Sequence, residues 1–127
     1  MQVLTDLTFN ISKSISMAGA VVSDPGTVES TFINPAGLSS VSESEILFGA
    51  TEYYSLDFIK YGYLSFVSPT PYGNIGISIQ KLGVESPDFN RYLSFESSLS
   101  LSQGFSLLKD RNSTLDIGYS FNIFQIY

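Results

Sequence analysis

Residues 92–107 read Tyr-Leu-Ser-Phe-Glu-Ser-Ser-Leu-Ser-Leu-Ser-Gln-Gly-Phe-Ser-Leu, and this stretch decides the fold. Leu93, Phe95, Leu99, Leu101, Phe105 and Leu107 share one parity, while Ser94, Glu96, Ser98, Ser100, Ser102 and Ser106 take the other. Side chains alternate across a strand and recur every three or four residues on a helix, so a period of two predicts β-strand with two unlike faces. The run is also long: strands of soluble domains average ~5–6 residues, whereas a strand crossing a bilayer needs ~9–11.

The pattern spreads in both directions from this run. Downstream, residues 113–127 repeat it, with Leu115, Ile117, Tyr119, Phe121, Ile123 and Tyr127 opposite Asp116, Gly118, Ser120 and Asn122. Upstream, residues 45–54, 58–68 and 74–83 read as strands at hairpin spacing. The punctuation fits, with Ser55-Leu56-Asp57, the Pro69, Pro71 and Gly73 turn, Pro87-Asp88, and Asp110-Arg111-Asn112 between the runs. The prediction is an all-β, antiparallel, up-and-down arrangement over 45–127.

Composition decides what the two faces meet. The chain is 43% hydrophobic and 14% aromatic but only 14% charged, against roughly 25% charged in ordinary soluble domains. A water-facing sheet uses Lys and Glu to stay hydrated and to protect its edges. Here the small, polar face is mostly serine. One apolar face and one serine face predict the wall of a transmembrane β-barrel, with lipid on one side and a wetted or plugged lumen on the other. A soluble β-domain binding ligand or protein is the competing reading, because sandwiches and lipocalin-like barrels show the same alternation. No spanning helix is predicted: the uncharged window from Tyr61 to Gln80 contains Pro69, Pro71, Gly73 and Gly76. The strand charges Glu52, Lys60, Lys81 and Glu96 are therefore expected to face the lumen or lie near an interface. The tyrosines Tyr53, Tyr54, Tyr61, Tyr63, Tyr72, Tyr92, Tyr119 and Tyr127 lie largely at strand ends and suit an interfacial girdle, though tyrosine is also simply a good β-former.

Other function classes are excluded by what is missing. With net charge −6 and six Lys and Arg in all, no basic patch is available for nucleic acid. The chain has no His and no Cys, which removes the usual general base, thiol nucleophile and transition-metal ligands. No catalytic residue, metal site or cofactor is expected. The carboxylate pairs Glu43/Glu45 and Glu85/Asp88 fall at strand ends and turns and read as solvated loop charge. Gln2-Val3-Leu4-Thr5-Asp6 has no basic region or apolar run of the secretory kind.

Ahead of the strands, residues 1–44 form a distinct segment. Residues 3–17 alternate and are read as extended, against a competing helical stripe through Leu4, Leu7, Ile11 and Ile15. Residues 18–44 read as irregular with one short helical turn, because Ala18-Gly19-Ala20, Asp24-Pro25-Gly26 and Asn34-Pro35-Ala36-Gly37-Leu38 are dense in small residues and proline.

The series Ser16-Met17-Ala18-Gly19-Ala20, Asp24-Pro25-Gly26 and Phe32-Ile33-Asn34-Pro35-Ala36-Gly37-Leu38 resembles the N-terminal region of FadL-type outer-membrane transporters and their PorV-like relatives. The resemblance is best over residues 14–67. It implies that residues 1–44 are a hatch tucked inside a barrel, with Asn34, Pro35, Ala36, Gly37 and Leu38 as its plug element. It also implies location in the cell outer membrane, among lipid. The implied activity is passive passage of hydrophobic molecules such as long-chain fatty acids. A structural or secretion-associated barrel that binds protein partners is the other reading within this class. Barrels of the FadL type imply about fourteen strands, and the smallest single-chain barrels have ~8. With five strands and a sixth at the N-terminus, the expectation is an incomplete portion of such a barrel.

Overall fold

The computed structural model describes residues 16–17, 26–52, 57–86 and 92–126. Five strands form one antiparallel sheet: β1 (Glu45–Glu52), β2 (Ile59–Ser68), β3 (Asn74–Glu85), β4 (Tyr92–Lys109) and β5 (Thr114–Ile126). Their order is β1-β2-β3-β4-β5, an up-and-down meander in which each strand pairs with its sequence neighbour. The all-β, antiparallel expectation holds, and the described strand ends lie within two residues of the predicted ones. The sheet is open.

Only Ser16 and Met17 of the segment read as extended over 3–17 are described, and they are helical and in a turn, so the extended reading fails there. The rest of that segment, with the Ala18–Ala20 and Asp24-Pro25 portions, lies outside the described residues, as do Tyr53, Tyr54, Asp88 and Tyr127. The single helical turn expected within 18–44 is two elements, a short helix at Ser30–Ile33 and a 3-10 helix at Pro35–Ser40.

Register makes the two faces explicit. Ile46, Phe66, Ile77, Leu101 and Phe121 line up across all five strands, and Phe48, Leu64, Ile79, Leu99 and Ile123 form the adjacent row. None of these ten positions is polar. Most are exposed, with Phe48 77% and Phe121 63% accessible, and no described segment covers them. The opposite face alternates with this one and carries Ser65, Ser78, Ser100 and Asn122 in a single row. Two register shifts involve β4: against β3 its pairing jumps from Ser94 to Tyr92 at Val84/Glu85, and against β5 it shifts between Ser106 and Leu108. An extra residue is accommodated at the second shift as a bulge, so Leu107 drops out of the pairing and Leu108 stands opposite Leu115.

The two short helices lie on the small, polar face. Their packing supplies the buried cluster Val28, Leu38, Val41 and Val67, with Leu47 against it. A second cluster, Tyr61 and Leu82 with Ile59 and Tyr63, sits further along the same face. Tyr61 and Tyr63 therefore turn inward instead of joining a girdle; their rings lie 5.8 Å apart, and Tyr63 meets Phe32 edge-on at 5.9 Å.

Candidate functional site

The Asn34–Leu38 run folds on itself before it touches the sheet. Asn34 has extended backbone, with φ −153 and ψ 100, and its side-chain oxygen accepts from the Ala36 amide at 3.2 Å. Its carbonyl accepts from the Gly37 amide at 2.9 Å. Asn caps a turn in this way because its short amide reaches backbone two residues on. Pro35 opens the 3-10 helix, where its missing N–H leaves nothing unsatisfied. The Gly37 carbonyl accepts from the Gly26 amide at 2.9 Å, tying the run to the turn before it.

The sheet receives this unit on glycine. Asn74, Gly104 and Gly118 form one row across β3, β4 and β5, and Gly76 begins the next. A Cβ at Gly104 would run into the Pro35 carbonyl oxygen, and one at Gly118 into the Ala36 amide nitrogen. At Gly76 it would strike the Thr31 methyl group. Since the obstacles at Gly104 and Gly118 are main-chain atoms, neither can swing aside. Glycine inside a strand marks such close approach of another backbone. Leu38 is 0% exposed above this seat.

Hydrogen bonds lock the seat at three points. The Asn74 side-chain amide donates to the Leu38 carbonyl at 2.6 Å and to the Val41 carbonyl at 2.7 Å. The Val28 amide donates to the Glu45 carboxylate at 3.1 Å. The Thr31 and Ser65 hydroxyls lie 2.7 Å apart. Glu45 is thus engaged with backbone, and Glu85 holds Lys60 at 3.1 Å.

Beyond the seat, the two helices and the sheet border a partly open pocket of about 190 Å³. Thr31, Phe32 and Pro35 wall one side, and Ser78, Ser98 and Asn122 are among the sheet residues on the other. Among the described residues no charged side chain lines it. The Ser78 hydroxyl is 1% exposed and has no hydrogen-bond partner among the described residues. Glu45, Glu96 and Asp116 share this face, Glu96 being 3% exposed.

Sequence reasoning selected Asn34, Pro35, Ala36, Gly37 and Leu38, and the structure gathers them into this one unit. It missed Asn74, Gly76, Gly104 and Gly118. The signal available was that glycines recur inside otherwise regular strand patterns. Among the described residues no helix is long and apolar enough to cross a membrane, a statement with no bearing on strands. No protein-family model, curated protein or solved structure matches the sequence.

Proposed function

We propose that this chain is a hatch-and-wall portion of an outer-membrane β-barrel of the FadL/PorV kind, with residues 1–44 as hatch and 45–127 as barrel strands. Its activity is passive passage of hydrophobic molecules past the hatch. The observation that carries this reading is the inversion of the sheet. The apolar face is the open one, and the serine and glycine face is the one the helices cover. A sheet folded for water puts its apolar face inside.

Dimensions support it. From Leu115 to Ile123 the open face of β5 is apolar over about 27 Å of strand, or about 20 Å of depth at a tilt of ~40°. The apolar band of outer-membrane barrels is ~25 Å tall. The neutral pocket and the acids of the hatch face favour uncharged cargo over a carboxylate, so fatty-acid anions are the less suited members of the hydrophobic class.

The test begins with fractionation of cells producing the native protein. Recovery with outer membranes and heat-modifiable migration in detergent gels are expected; recovery in the soluble fraction without detergent rules out a barrel. Deletion is then expected to reduce uptake of uncharged hydrophobic compounds. Normal uptake with impaired protein export transfers the assignment to a secretion-associated barrel.

A further inference from the structure

The open face carries a notch next to its apolar rows. Ala50 and Gly62 follow Phe48 and Leu64 one step along β1 and β2, and they stand opposite each other in register. A Cβ built on Gly62 meets nothing nearer than the Gly49 carbonyl oxygen at 3.8 Å, so the space above it is empty. Phe48, Leu64 and Ile79 wall the resulting groove of about 540 Å³, and Lys81 closes it, directly across from Gly62 on β3.

Charge at the rim is unevenly distributed. Lys60 holds Glu85 at 3.1 Å and has Glu52 opposite it in register. Lys81 is exposed and has no carboxylate partner among the described residues. Its row is completed by Ser97 and Gln125, where the apolar band gives way to polar side chains. A lysine at that boundary lays its methylenes along apolar surface and presents its ammonium at headgroup depth.

We propose that this notch binds an anionic membrane phospholipid, with one acyl chain over Gly62 and the phosphate on Lys81. The site rests on the membrane reading above. Apolar walls match the chain, the unpaired ammonium matches the phosphate, and the missing side chains at Ala50 and Gly62 give the chain a place narrower than the face around it.

The experiment reconstitutes the full chain in bilayers of dioleoylphosphatidylcholine and dioleoylphosphatidylglycerol, extracts it gently, and counts the retained lipids by mass spectrometry. Phosphatidylglycerol is expected to be enriched over its share of the bilayer. Lys81→Gln should lower that enrichment about fivefold, the effect expected of one basic residue at an anionic surface. Gly62→Leu fills the notch without altering charge and should lower retention of both lipids. Flotation with vesicles separates the two levels of failure. If the native protein recovered from the producing cells does not float, the membrane reading and the site are overturned together. A chain that floats but retains the two lipids in bilayer proportion, unchanged by either substitution, overturns the site alone.

Discussion

The two faces of this sheet share one hydrogen-bond ladder and differ in everything attached to it. On the open face, bulky apolar side chains stand in unbroken rows with nothing described upon them. On the helix-covered face, glycines and serines leave room for another backbone to approach. Side-chain size therefore does opposite work on the two faces: bulk makes a surface for a surrounding medium, and its absence makes a socket. The contrast also orders the energetics. Contacts in the socket are specific and sensitive to single atoms, whereas the open face depends on its medium.

Substitutions can break this contrast from either side. Leu38→Ala should have the largest effect, about 2–5 kcal/mol, because it empties a fully buried position at the centre of the seat. The measurement is protease susceptibility of the helical segment alongside thermal unfolding; an unaltered cleavage pattern would show that the seat does not hold the segment. Phe121→Arg, in the middle of the open face, should cost about 2–4 kcal/mol in a bilayer, and within about 0.5 kcal/mol in water, as surface changes usually do. Comparing unfolding in lipid with unfolding in a lipid-free state reads the medium of that face directly. For Gly118→Ala the expected loss is about 1–3 kcal/mol, since the new methyl group meets the Pro35–Ala36 backbone. Gly62→Ala on the open face is the matched control, and there stability should hold or rise slightly. If both alanines behave alike, the socket is not what glycine is for.

Smaller effects sharpen the picture. Ser78→Ala removes a buried hydroxyl without a protein partner and should change stability by less than about 1 kcal/mol. A loss indicates that water in the pocket bonds to it, and a gain that the hydroxyl stays dry. Lys60→Gln should be close to neutral, within about 1 kcal/mol, since its ion pair with Glu85 is exposed. Chemical denaturation of the two variants side by side is enough to rank them.

Much of the fold was legible from local pattern. The alternation over residues 92–107 and the turn residues between runs located all five strands, because a period of two and proline or glycine punctuation act over a few residues. The bulge at Leu107 was not legible, since it arises from how β4 pairs with β5. The inward turn of Tyr61 and Tyr63 was likewise invisible, because a tyrosine near a strand end suits a core and an interface equally well.

The candidate site divides in the same way. Asn34–Leu38 was recognisable as a compact unit, because its cap and its proline act within five residues. Its seat was not, because the Asn74 amide and the Leu38 carbonyl are 36 residues apart, and Gly118 lies further still along the chain. By itself the sequence determined that there would be strands, where they would turn, and that their two faces would differ. Only the tertiary structure decided which face is covered and by what, for alternation is symmetric between the faces. The choice is made where strands distant in sequence bring three glycines and an asparagine under one short turn.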